Sequence, residues 1–217
     1  MIAILNYRAG NLTSVKRALD HEGIPCRITD DAQTLARSQG IIFPGVGAAG
    51  SAMNNLRETG LDNTLKDLIS MGKPMLGICL GCQIILDESM ENSASTLSIL
   101  AGNCLRFDNE LLDEHGDPIN IPHMGWNSVN LVQECELFRD VPQEAEFYFV
   151  HSYYPVPRKD LVIGLTNYGL DFCSVFGRPG LWAMQFHPEK SGRPGLKILN
   201  NFYKYCRTIC NRTVNHA

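Results

Sequence analysis

No apolar run in the 217 residues approaches the ~20 needed to span a bilayer, so no membrane attachment is expected. The 19 lysines and arginines are scattered, and the net charge is −4. Phosphate binding needs basic residues gathered on one surface, so a nucleic-acid partner is not expected either. The opening Met-Ile-Ala-Ile-Leu-Asn lacks a charged n-region and starts as a strand, which argues against a signal peptide. The one Cys-x-x-Cys, Cys79-Leu-Gly-Cys82, has no second such pair and no histidine pair to complete a zinc set. No metal or other cofactor is expected. No Pro/Gly/Ser-rich linker and no repeat divides the chain, so residues 1–217 are expected to form one domain.

What is present is a composition 44% hydrophobic and 19% charged, in a chain long enough to bury a sizeable core. Its eight cysteines (Cys26, Cys79, Cys82, Cys104, Cys135, Cys173, Cys206 and Cys210) lie in apolar segments of a chain too long for a stapled mini-domain. They are expected as reduced thiols in a cytoplasmic protein.

The order of elements implies an α/β fold. Ile2 to Asn6 is a short apolar strand, and Tyr7-Arg-Ala-Gly-Asn11 a turn cluster. Leu12 to His21 spaces Leu12, Val15, Ala18 and Leu19 as a helix does. Cys26–Ile28 reads as a strand, Ala32–Arg37 as a short helix, and Gly40–Phe43 as a third strand. Helices are expected near Ala52–Glu58 and across Leu61–Met71, then a strand over Met75–Ile78. This alternation predicts an open, largely parallel central sheet flanked by helices. The second half differs. Residues 88–102 are polar and weakly patterned, as in a surface loop or crossover. Short strands follow at Cys104–Phe107, Asn127–Leu131, Glu146–Val150, Val162–Thr166, Phe172–Phe176 and Trp182–Gln185, expected as an antiparallel extension of the sheet. A helix over Gly195–Arg207 closes the fold with Leu196, Leu199, Phe202 and Tyr203 inward, and the last ten residues are expected to fray.

The chemistry centres on Gly77-Ile-Cys79-Leu-Gly81. Glycines two before and two after a nucleophile suit a sharp strand-to-helix elbow, where other side chains would strike neighbouring backbone. Backbone N–H groups at the start of the following helix suit a nucleophilic thiol and can hold an oxyanion. The same pattern also fits an inert core thiol, and with Cys82 a redox pair. Gly45-Val-Gly47-Ala-Ala-Gly50 fits a dinucleotide loop, but its ribose-binding acid would be Asp67, inside a helical pattern, and the strand is the third rather than the first. Otherwise Pro44-Gly45-Val46-Gly47 is a flexible loop whose N–H groups can approach a substrate oxygen.

Six histidines compete as the base. His21, His115 and His216 sit in polar or terminal positions; His123 and His151 follow apolar runs and read equally as core histidines. His187, in Gln185-Phe-His-Pro-Glu189, follows a strand that Pro188 should end, at the sheet edge where α/β active sites lie. Cys79, His187 and Glu189 thus supply nucleophile, base and orienting carboxylate.

Together these motifs resemble the class I (triad-type) glutamine amidotransferases, from Ile2 to about Phe202. Asn6-Tyr-Arg-Ala-Gly-Asn-Leu12, Pro122-His-Met-Gly-Trp-Asn127, Phe149-Val-His-Ser-Tyr-Tyr154 and Gln185-Phe-His-Pro-Glu-Lys-Ser-Gly192 are most similar to the glutaminase subunits of imidazole glycerol phosphate synthase, a family within that class. The resemblance implies Cys79, His187 and Glu189 as the catalytic triad. It implies an oxyanion hole from the N–H of Leu80 and the Gly45-Val46 peptide. It also implies glutamine binding by Gly47, Gln83, Ser152 and Tyr153. Asn11, Met124, Trp126, Tyr148 and Lys190 would face a (β/α)₈-barrel cyclase in a heterodimer that receives the ammonia for histidine biosynthesis. Trp126 can also be read as core, Lys190 as a solvated charge and Gln83 as a helix-surface residue.

The chain departs from the family pattern in three places. Cys82 replaces a usual Met and is read as an apolar substitute. Ala49 stands where a larger residue is common, which would leave the oxyanion loop less packed. Residues 91–102 lack a Gly-Leu-Gly signature, with no catalytic residue expected there. Rival readings are an ammonia-supplying paralogue for surface sugars and an inactive binding subunit of the same fold.

Overall fold

The computed structural model describes residues 1–8, 10–113 and 115–214. The first half alternates as its hydrophobic pattern dictates: β1 (Ile2–Leu5), α1 (Leu12–His21), β2 (Cys26–Thr29), α2 (Ala32–Arg37), β3 (Gly40–Gly45), α3 (Ala49–Thr59), α4 (Leu61–Ser70) and β4 (Met75–Cys79). Strands β1, β3 and β4 are buried along their whole length, as parallel strands covered on both faces must be. Helix α5 (Leu80–Gln83) follows.

The second half is built of short strands: β5 (Glu88–Ser89), β6 (Ala94–Ser95), β7 (Gly102–Arg106), β8 (His123–Ser128), β9 (Asn130–Leu131), β10 (Glu146–His151), β11 (Tyr153–Pro157), β12 (Val162–Asn167), β13 (Asp171–Arg178) and β14 (Leu181–Met184). Helix α6 (Gly192–Val214) closes the chain. The main sheet has the order β2-β1-β3-β4-β14-β13-β12-β9. From β2 to β14 neighbouring strands pair in parallel, and from β14 outward they pair antiparallel.

The antiparallel extension is therefore only part of the second half. Strands β10 and β8 pair by themselves, and β11-β7-β5-β6 form a third sheet. Residues 88–102 are not a plain surface loop: they supply β5 and β6 and bury Ser89, Thr96, Leu97 and Leu100. Helix α6 runs well past Arg207, so residues 208–214 are helical, while 215–217, with His216, lie outside the described residues. Its fully buried side chains include Ile198, Leu199, Phe202 and Cys206, spaced along one face, whereas Leu196 and Tyr203 are only partly covered.

The sheet separates two apolar layers. Ile2, Ile4, Ile42, Leu76 and Ile78 pack beneath α1 and α6, and Ala3, Leu5, Ile41, Phe43 and Met75 beneath α3 and α4. This alternation is the two-residue period of a strand. It holds the carboxyl ends of β3, β4 and β14 side by side, with Gly45 opposite Cys79 and Ile78 opposite Met184. Ligand sites of open α/β sheets lie at such an edge.

Candidate active site

Cys79 ends β4 at φ 52°, ψ −111°, a conformation that non-glycine residues adopt at a cost of about 1–3 kcal/mol. The turn that forces it needs the neighbouring glycines. A Cβ on Gly81 would lie 1.9 Å from the Phe43 carbonyl oxygen, and one on Gly45 2.1 Å from the Tyr7 hydroxyl. The helix beyond the elbow is a single turn, shorter than the sequence pattern implies. The carbonyls of Ile84, Ile85 and Leu86 accept from Leu97, Ser98, Ile99 and Leu100 N–H groups instead of continuing it. Local N–H groups, rather than a long helix dipole, are what this elbow offers.

His187 and Glu189 bracket Pro188 just beyond β14. His187 Nδ1 lies 2.8 Å from Glu189 Oε1, and both side chains are almost fully buried. The same oxygen accepts from Asn11 Nδ2 at 2.9 Å, so Asn11, assigned to a partner face by resemblance, has its amide on the carboxylate. Nε2 of His187 has no hydrogen-bond partner. Cys79 is near enough to the ring to influence its titration. Burial by itself lowers the imidazole pKa, but Cys79 and Glu189 outweigh it and push it up to about 10. Nδ1–H therefore donates to Glu189, and the raised pKa favours a second proton on Nε2.

A cavity of about 350 Å³ opens beside the sulfur, lined by Val46, Gly47, Leu80, Gln83, Glu91, Ser152, Tyr153 and His187 among others. Its size suits a small polar molecule. Gln83 is buried, not on a helix surface. Its Nε2 donates to Tyr153 O and to Gln185 Oε1, both at 3.0 Å, which leaves its own carbonyl oxygen for a ligand. Cys82 is fully buried, and burial raises its thiol well above the ordinary range; all eight cysteines are free.

Glu91 was missed by the sequence reading, which placed no functional residue in 91–102. Its carboxylate faces the cavity and its Oε2 accepts from Ala49 N–H at 2.7 Å, so the end of the Gly45–Gly47 loop is tied down despite the small residue at 49. An isolated acid in a polar stretch gave no signal.

His123 and His151 are core histidines joined in one chain, of which His151 lines the cavity. His151 Nδ1 must donate to Tyr153 O (2.8 Å), because a carbonyl only accepts. Its Nε2 then accepts from His123 Nδ1 (3.1 Å), whose Nε2 accepts from Asn127 Nδ2 (3.3 Å). Every ring nitrogen is satisfied with both rings neutral. Burial pushes His123 down to about 4 and His151 down to about 3.

Met124 and Trp126 point outward from β8, 62% and 53% exposed. Trp126 packs edge-on to Tyr148 on β10, ring centroids 6.1 Å apart, and the Lys190 ammonium lies 5.7 Å over the Tyr148 ring. Tyr148 also reaches the triad through its backbone: its carbonyl accepts from His187 N–H at 2.9 Å. Asp67 is exposed within α4 rather than at a strand end, which leaves the dinucleotide reading without its acid. Among the described residues no helix is long and apolar enough to cross a membrane, and no group of three or more His, Cys, Asp or Glu could hold a metal ion.

A cysteine on a strained elbow, a buried histidine–carboxylate pair and a cavity lined by both Cys79 and His187 are the parts that cysteine-nucleophile acyl transfer on an open α/β sheet requires. The chain belongs to the class I glutamine amidotransferase family, whose pattern it matches over residues 3–206. It is 59% identical over 207 residues to the imidazole glycerol phosphate synthase subunit HisH of Nitratidesulfovibrio vulgaris, covering 95% of this chain and 98% of that one. It is also 59% identical to HisH of Maridesulfovibrio salexigens, covering 96% and 99%. A solved glutamine amidotransferase with 18% identity superposes over 94% of this chain and 98% of its own, with a TM-score of 0.71.

Proposed function

We propose that this protein hydrolyses glutamine to glutamate and ammonia, and passes the ammonia to the cyclase subunit of an imidazole glycerol phosphate synthase in histidine biosynthesis. The observation that carries the reading is the Cys79–His187–Glu189 constellation at the mouth of the Gln83–Ser152–Tyr153 cavity. The names of relatives at 59% identity support the pathway. They favour it over a surface-sugar paralogue, and a complete triad gives no support to an inactive binding subunit.

In this reading Cys79 Sγ attacks the side-chain amide carbon of glutamine. The resulting oxyanion is held by the N–H of Leu80 and that of the Gly45-Val46 peptide. His187 gives its Nε2 proton to the departing nitrogen, so ammonia leaves and a thioester remains on Cys79. The now neutral imidazole takes a proton from water, and hydroxide adds to the thioester. Collapse of that second tetrahedral species expels the Cys79 thiolate beside the re-protonated His187 and frees glutamate, whose new carboxyl group loses its proton to solvent. Glu189, held by Asn11, keeps Nδ1–H fixed throughout. Gly47, Ser152, Tyr153 and the free carbonyl of Gln83 bind the substrate, and the Glu91 carboxylate complements its α-ammonium.

Met124, Trp126, Tyr148 and Lys190 form the face toward a (β/α)₈-barrel cyclase in a cytoplasmic heterodimer. Direct transfer between subunits keeps ammonia from bulk water, where protonation would destroy its nucleophilicity. The test is glutamine hydrolysis with and without a candidate cyclase subunit: low turnover alone and a large increase on mixing are expected. Turnover that is absent in both cases contradicts the reading.

A further inference from the structure

The mechanism above gives no task to Gln185, a buried polar side chain next to the nucleophile. Gln185, between β14 and His187, is fully buried, and its Nε2 lies 3.7 Å from Cys79 Sγ, within the range of a hydrogen bond to sulfur. Its Oε1 receives two donors, Gln83 Nε2 at 3.0 Å and the Cys82 thiol at 3.7 Å. Those donors settle which way the amide points. A reversed amide would set its NH₂ against the NH₂ of Gln83 and the S–H of Cys82, and leave a bare carbonyl facing the nucleophile. The backbone is pinned as well, with Gln185 N–H donating to Ser174 O at 2.9 Å.

We propose that Gln185 is a further catalytic residue, whose side-chain NH₂ donates to the Cys79 sulfur and holds it, as thiolate, aimed at the substrate amide. This rests on the glutaminase reading and gives the sulfur a hydrogen-bond donor in addition to the nearby His187 ring. A neutral donor suits the task. It stabilises negative charge on sulfur through a charge-assisted hydrogen bond, yet adds no formal charge to compete with the imidazolium. The orientation relay runs from the substrate wall to the nucleophile: Gln83 ties Tyr153 O to Gln185, and Gln185 ties Gln83 to Cys79. Cys82 gains a role beyond packing, since its thiol is the second donor that locks the amide. An apolar residue at 82 leaves that lock to Gln83 alone.

The test uses the chain in complex with its cyclase partner and reads kcat, KM for glutamine, thermal midpoint and the rate of Cys79 alkylation by iodoacetamide. Gln185→Glu is the sharpest variant, because it keeps an acceptor for Gln83 and Cys82 and replaces the donor facing Cys79 with an oxygen. A fall of about 10- to 100-fold in kcat is expected, the size of one lost hydrogen bond to a charged group. KM should stay within about twofold, and alkylation should slow by a similar factor to kcat. Gln185→Met, which keeps the apolar volume, gives the same pattern if the glutamate variant folds poorly. Wild-type kcat and wild-type alkylation in either folded variant overturn the proposal. Alkylation needs no glutamine, so it tests Gln185 even if the wild-type complex turns over no glutamine, a result that would sink the glutaminase reading instead.

Discussion

Two buried histidines, His151 and His187, line one cavity, a third, His123, backs His151, and their surroundings push them in opposite directions. His123 and His151 are packed among Phe107, Phe149, Tyr168 and Phe172, with their nitrogens satisfied by an amide, a carbonyl and each other. Burial is the dominant influence on both and lowers them to about 4 and about 3. His187 is just as buried, but it sits between a carboxylate and a thiol and rises to about 10. Burial alone makes a histidine structural; burial beside an anion makes it an acid held ready at neutral pH. His151, backed by His123, forms part of the wall, and the His187–Glu189 pair is the one the proposed mechanism uses as proton donor.

The largest effect expected is from His187→Asn. Glutamine turnover by the complex should fall by roughly 10³-fold while added ammonium still drives the partner's synthesis. His151→Gln should cost far less turnover, and equal losses in the two variants would erase the distinction between acid and wall. Asn11→Leu, which removes the second donor on Glu189 Oε1, comes next. It should lower kcat about tenfold with KM little changed.

Stability against pH separates the two kinds of histidine without any substrate. The folded pKa of His187 is above the unfolded value of 6.5, so its contribution is fully present below pH 6.5 and is lost as pH rises toward 10. His123 and His151 have folded values below 6.5, so their contribution is present above 6.5 and is lost as pH falls toward 4 and 3. Urea midpoints across pH should therefore fall on both sides of about 6.5. His187→Asn should flatten the alkaline limb only, and His151→Gln the acid limb only. An alkaline limb unchanged by His187→Asn would contradict the raised imidazole. The smallest effect is expected from Cys82→Ala. It should lower turnover only about twofold, because Gln83 still holds the Gln185 amide. Complete loss there would favour the redox reading of Cys79 and Cys82.

The half of the fold built from parallel strands was legible because β1, β3 and β4 are continuous apolar runs and α1, α3 and α4 carry periodic stripes. Leu12–His21 and Ala32–Arg37 have the bounds that the pattern implied. The second half was less so. Strands β5 and β6 are two residues each, too short for any period. Strand β11 contains Pro155 and Pro157, which read as turn punctuation, yet it is an edge strand, where proline is tolerated. In the site, Cys79, His187 and Glu189 stood out through motif spacing and residue chemistry. Glu91 on Ala49, Asn11 on Glu189 and His123 on His151 join residues 42, 178 and 28 positions apart. Only the folded chain brings those together, so no local pattern announced them.

The most direct measurement is mass spectrometry of the complex after treatment with a chloroketone analogue of glutamine. The account predicts a single adduct on Cys79, prevented by excess glutamine and absent in Cys79→Ala. An adduct on Cys82 instead, or a Cys79 adduct that glutamine does not prevent, would contradict Cys79 as the glutamine-directed nucleophile.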